Sequence, residues 1–139
     1  MSLPRLAALA TGLLIATATH AQDAKAVEAA QAAASRWLAT NDQGAYAQSW
    51  EQAAGLLKGA VTAAQWEQSL KAVRTPLGAV QSRQQRSAQY AKALPGAPDG
   101  HYVVIQFETR FEHKAQAIET VTPMLDKDGT WRVSGYFIR

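Results

Sequence analysis

Glu119 is the charge in this sequence whose neighbours raise the question of chemistry. It stands in a stretch of period two and shares a face with Ala117, Val121 and Leu125, while Ile118, Thr120 and Met124 take the other face. If the Val121 face points inward, a carboxylate is carried to the junction of sheet and helices. A buried carboxylate needs a cation beside it or it loses its charge. Arg74, Arg83 and Arg86 are the residues that could supply one. Three readings are open: an ion pair tying a helix to the sheet, a solvent-facing side chain, or a general base like that of a proton-shuttling isomerase. An arginine partner argues against the last, because it moves the carboxylate pKa away from neutrality.

The aromatic set is the second candidate. Trp37, Tyr46, Trp50, Trp66, Trp131 and Tyr136 all lie on or beside apolar stripes. Aromatics bury large areas, and in an alanine-rich domain they can supply much of the core. The other reading places some of them along a cleft between helices and sheet, where Trp and Tyr each offer one polar handle to a ligand. The binding set expected on that reading is Tyr46, Trp50, Trp66, Arg74 and Glu119, around a small hydrophobic ligand. An enzymatic version would use Glu119 or Asp42 as proton carrier and a Tyr hydroxyl as donor. No catalytic residue is assigned and no cofactor or metal is expected.

Other chemistry-bearing residues are less promising. His101 and His113 flank one strand, about 40 Å apart when extended, and cannot share a metal within a monomer. Asp126 and Asp128 bracket Lys127 in a turn, where Asp bonds its own backbone. They lack the ligand count of a calcium loop. Ser49, Ser69 and Ser134 have no strained elbow around them and read as ordinary polar positions. Arg83 and Arg86 differ by three in a strand and so point to opposite faces. With no basic run, nucleic acid is not an expected partner.

Three helices followed by four strands must position these residues. The period is helical from Asp23 to about Thr75. Asp23 is expected to cap the first helix, whose stripe is Val27, Ala30, Ala34, Trp37 and Leu38. Asn41-Asp42 and Gly44 break it. A second helix carries Tyr46, Trp50, Ala53 and Leu57 and stops at Gly59. In the third, Thr62 and Gln65 form a capping box, and Val61 with Trp66 a hydrophobic staple. Its expected buried face is Trp66, Leu70 and Val73, and Pro76 and Gly78 end it.

From Ala79 the period is two. Ala79–Ala91 is a polar, Gln-rich strand. In the second strand Val103, Ile105, Phe107 and Phe111 alternate with Gln106, Glu108, Arg110 and Glu112. The third runs from Ala117 to Leu125, with Pro123 marking an interruption or an edge. On the last strand Trp131, Val133 and Phe137 share one face, and Arg132, Ser134, Tyr136 and Ile138 the other. Asp128-Gly129 is a hairpin signal. This order predicts an α+β domain, three N-terminal helices on a curved four-stranded antiparallel sheet, and is similar to the cystatin/nuclear-transport-factor-like cone. A superfold of that kind does not fix a function.

Composition bounds the rest. The chain has 139 residues, no cysteine, 47% hydrophobic and 18% charged residues, and a formal charge of +3. Disulfides, thiolate metal sites and cysteine nucleophiles are excluded. Residues 1–21 read as a signal peptide: Arg5, an apolar run from Leu6 to Thr17 too short to span a bilayer, and Thr19-His20-Ala21 before a cut after Ala21. A buried N-terminal helix is the other reading, against which stand the missing cap and missing polar face. No Cys follows the cut, so no lipid anchor is expected there. Export without cysteine suits a bacterial periplasm. The domain is then 22–139, with no membrane span.

Five segments also resemble a known family. They are Asp42-Gln43-Gly44-Ala45-Tyr46-Ala47-Gln48-Ser49-Trp50, Arg74-Thr75-Pro76-Leu77-Gly78, Pro95-Gly96-Ala97-Pro98-Asp99-Gly100-His101-Tyr102, Glu119-Thr120-Val121-Thr122, and Trp131 to Ile138. In this order they resemble the bacterial domain of unknown function 4019 family, from about Ala33 to Arg139. The resemblance implies a small exported bacterial protein and carries over no catalytic residues. The function expected is therefore a non-catalytic periplasmic domain that binds a small ligand or a protein partner; the alternative is a small cone-fold enzyme acting on a hydrophobic substrate. Tyr102, Val104, Tyr136 and Ile138 are expected to form an apolar second face of the sheet, through which a homodimer can form.

Overall fold

In a computed structural model the described residues run from Ile15 to Arg139, with side chains described from His20 onward. The leader expected over residues 1–21 therefore lies mostly outside the described residues. Four helices precede four strands: α1 (Ile15–Asp42), α2 (Tyr46–Glu51), α3 (Gly55–Ala60), α4 (Ala63–Arg74), β1 (Val80–Ala91), β2 (Tyr102–Phe111), β3 (Lys114–Leu125) and β4 (Trp131–Ile138). The class is α+β, and the helix count is four rather than three.

Helix α1 is 28 residues long, and Asp23, expected as its cap, lies inside it. Its stripe follows the sequence: Ala30, Ala34, Trp37 and Leu38 are buried, and Val27 packs against them. The alanines let the helix axis lie close to the sheet. The expected second helix is two short ones. Between them Ala53 and Ala54 are fully buried, and the Ala54 N–H donates to the Val133 carbonyl at 2.8 Å. The Gly55 N–H donates to Asp126 Oδ2 at 3.2 Å. Bonds to the sheet replace bonds along the helix there, so the break is tertiary in origin.

The capping box of α4 is present: Gln65 N–H donates to Thr62 Oγ1 at 3.2 Å, and Thr62 N–H to Gln65 Oε1 at 3.0 Å. Its buried face, however, is Trp66, Leu70 and Arg74, a spacing of four and four. Val73, expected inside, is 48% exposed. After the helix Gly78 takes φ +76°, and a Cβ there would lie 2.9 Å from Glu112 Cβ. Glycine is required by both the dihedral and the space.

The strands form one antiparallel meander in the order β1-β2-β3-β4. β3 is thus internal, and Pro123 sits at a register shift rather than on an edge. That shift, opposite Ser134, changes the parity of β4. Tyr136 pairs with Val121 and Ile138 with Glu119. Tyr136 consequently packs inward on Trp37, ring centroids 5.1 Å apart, while Phe137 turns outward and is 53% exposed. The expected assignment of Phe137 to the core and of Tyr136 and Ile138 to the outer face is reversed by this one extra residue. Between helices and sheet the core contains Trp37, Leu38, Leu57, Trp66, Leu70, Val103, Ile105, Phe107, Val121 and Val133.

Candidate functional site

Glu119 points inward and is 0% exposed. Its face of β3 meets β1, α1 and α4 where Arg83, Asp42 and Arg74 converge. Arg83 Nε donates to Glu119 Oε1 at 2.7 Å, and Arg83 Nη2 to Oε2 at 3.3 Å. Thr109 Oγ1 donates to Oε1 at 2.5 Å, and the Tyr136 hydroxyl donates to Oε2. Both carboxylate oxygens are thus supplied with donors from three strands. Protein donors thus stand where water would otherwise be.

The other side of Arg83 faces Asp42 at the end of α1. Arg83 Nη1 donates to Asp42 Oδ2 at 2.7 Å and Nη2 to Oδ1 at 3.0 Å. Arg74 Nη2 donates to the same Oδ1 at 2.6 Å. Two cations and two anions alternate in one chain, Arg74–Asp42–Arg83–Glu119, joining α4, α1, β1 and β3. Arg74 lies with its guanidinium 5.7 Å from the centre of the Phe111 ring. Burial raises the Asp42 carboxyl pKa, but the hydrogen bonds and charges of Arg83 and Arg74 outweigh it and hold the group below the usual carboxylate value. Burial and then the Glu119 charge push the Tyr136 phenol well above its ordinary value. Burial works against the charge on Arg83, and its bonds to Asp42 and Glu119 overcome this and raise its pKa.

Of the five residues expected to line a ligand site, the structure draws Arg74 and Glu119 into one network, though only through Asp42 and Arg83. Tyr46 stands beside Asn41, Asp42 and Arg74 on a cavity of about 310 Å³. Trp66 borders a separate groove of about 220 Å³ with Tyr136 and Phe137. Trp50 is engaged elsewhere, its Nε1 donating to the Val61 carbonyl at 2.8 Å. Ser49, expected as ordinary polar surface, is fully buried: its carbonyl accepts from Trp37 Nε1 and its Oγ from Trp66 Nε1, each at 2.9 Å. It anchors two indoles of the core. Arg86 joins Glu108 on the outer surface, not Glu119.

Sequence reasoning singled out neither Thr109 nor the pairing of the Tyr136 hydroxyl with Glu119. Thr109 was legible as the inward member between Phe107 and Phe111. Reading Asn41-Asp42 as a helix breaker hides that Asp42 bonds α4 and β1, while Asn41 is buried and bonds back to the Trp37 carbonyl of its own helix. The Asp126–Asp128 turn matches its expected chemistry: Asp128 Oδ1 accepts from the Thr130 N–H at 3.0 Å, and Arg132 bonds both Asp128 oxygens at 2.8 Å. His101 bonds the Tyr90 hydroxyl. Among the described residues no group of three or more His, Asp or Glu side chains could hold a metal, and no helix is long and apolar enough to cross a membrane.

The family model described as "Protein of unknown function (DUF4019)" matches residues 33–136. The chain belongs to that family. Neither the curated proteins nor the solved structures give a significant match.

Proposed function

We propose that this member of the DUF4019 family is an exported, non-catalytic domain of the bacterial periplasm, and that its work is binding. The observation that carries the reading is the condition of Glu119. A general base needs a free lone pair facing a substrate. Both oxygens of Glu119 are occupied by Arg83, Thr109 and Tyr136, and the side chain has no exposed surface. Asp42, the other proton carrier considered, is paired with two arginines and held ionised well below neutrality. Enclosed in this way or tied to two arginines, the two carboxylates serve to join the layers of the scaffold.

The helices laid over one face of the meander support reading the architecture as a cystatin/nuclear-transport-factor-like cone, and the run from Arg5 to Thr19-His20-Ala21 supports a leader removed after Ala21. For the partner, Phe137 favours a second copy of the chain on the outer sheet face, where Val104, Ile118 and Met124 are only half-buried. Tyr102 adds nothing to that face, since it is buried and its hydroxyl donates to the Pro98 carbonyl at 2.6 Å.

Native mass spectrometry of the protein taken from its own periplasm tests the reading. A co-purifying small molecule, a partner polypeptide or a dimer is the expected result. A bare monomer that turns over a substrate, with activity lost in Glu119→Gln, overturns it.

A further inference from the structure

A cut after Ala21, on the export reading, makes Gln22 the first residue of the mature chain. That cut falls inside α1, which is helical from Ile15 to Asp42, so the mature helix opens at Gln22. Gln22 is exposed there, on the rim of a cavity of about 310 Å³. At this place α1 meets the ends of all four strands: Tyr90 belongs to β1, His101 precedes β2, Leu125 closes β3 and Trp131 opens β4. His101 is engaged with the Tyr90 hydroxyl. Lys92 and Asp23 bring the charges, and Asp23 is the only carboxylate around the cavity.

Cleavage sets a new ammonium group at this spot. It stands at the positive end of the α1 dipole, on a cavity that Lys92 also borders and whose remaining walls include Leu125 and Trp131. A cation gains little from apolar walls, whereas an uncharged ring loses nothing beside them. A glutamine in first position can discharge that ammonium by its own chemistry, with no co-reactant. Once deprotonated, the Gln22 amine attacks its own side-chain Cδ. The N–Cδ bond forms, the Cδ–Nε2 bond breaks, and ammonia leaves with one hydrogen of the amine. Nothing is oxidised or reduced, and a five-membered lactam remains. We propose that Gln22 is a modification site, carried in the mature protein as an N-terminal pyroglutamate on the rim of this cavity. The positive terminal charge is then gone. Asp23 is left in the first turn of the helix, where a carboxylate favours the dipole.

The modification rests on the export reading, and the two can fail separately. The full chain is expressed in a Gram-negative host, and protein taken from the periplasm is weighed intact. The expected mass is that of residues 22–139 less one ammonia. The Gln22→Ala variant is expected to keep its full mass and a free amine; the same loss in that variant places the lost ammonia elsewhere and overturns the assignment. A wild-type chain of residues 22–139 that retains its full mass after prolonged incubation at neutral pH overturns this inference and leaves the export reading standing. A chain still carrying residues 1–21 overturns both. A cut at another bond overturns this inference and moves the boundary of the domain. The seat of the ring has its own readout. The open and closed forms differ by one charge and separate by ion exchange, and the closed form is expected to melt higher by about 1–4 °C. An open form that is equally or more stable overturns the placement at the helix end.

Discussion

Two clusters of arginine and carboxylate occupy opposite settings in this molecule. At the hairpin, Asp126, Asp128 and Arg132 meet within a single turn of chain, and Asp128 is exposed. In the interior, Arg74, Asp42, Arg83 and Glu119 meet from four different elements, and Glu119 and Arg74 are almost wholly out of water. The same ionic contacts do different work. At the surface they follow from a turn that the backbone already makes, and solvent screens them. Inside, they exist only once helices and sheet have docked, and each charge depends on the others for its solvation. The inner cluster therefore reports whether the two layers are correctly joined.

Glu119→Ala is the most severe break of that comparison. It leaves Arg83 with Asp42 as its sole anionic partner and removes the acceptor of Tyr136 and Thr109, with an expected loss of about 3–5 kcal/mol in denaturant unfolding. A loss no larger than that of a hairpin variant would mean the two settings are equivalent. Tyr136→Phe is milder, about 1–2 kcal/mol, because Arg83 and Thr109 still satisfy the carboxylate.

A pH series sharpens the contrast next. Asp42 has a folded pKa below its unfolded value, so the unfolded chain binds more protons in acid, and the stabilisation is lost as pH falls below about 4. Tyr136 has a folded pKa above its unfolded value, so its contribution is complete below about pH 10 and declines as pH rises past it. Unfolding midpoints across the range should show both arms, and Tyr136→Phe should flatten the alkaline one. The smallest effect is expected at the hairpin: Arg132→Ala should leave the thermal midpoint unchanged at moderate salt.

Much of the fold was legible because local signals agreed with it. The Thr62–Gln65 capping box, the alanine stripe of α1 and the alternation of β2 each needed only neighbours in sequence. The departures share a cause. Ala53-Ala54 carries no helix-breaking residue, and the chain turns there because Val133, far along the sequence, accepts the Ala54 N–H, while Asp126 accepts that of the following Gly55. On α4, hydropathy favours Val73 for the core, yet Arg74 is buried because Asp42 and Phe111 await it. On β4, an extra residue at Ser134 exchanges the faces of Tyr136 and Phe137, and a period-two reading has no means of seeing it. The site was half visible. Glu119 and its need for a cation could be read from the strand, but the choice of Arg83, and the bridge through Asp42, depend on contacts 36 and 41 residues apart.

The bond from Ala54 to Val133 bears on assembly. Open sheets grow at their rims, where unused backbone groups recruit further strands. Opposite the imino ring of Pro123, which has no hydrogen to give, the Val133 oxygen is taken by the protein's own linker. At the far rim, β1 carries an inward arginine and two irregularities of register, both of which discourage strand recruitment. One acceptor of β4 is thus closed to an added strand, and β1 offers an irregular template for pairing.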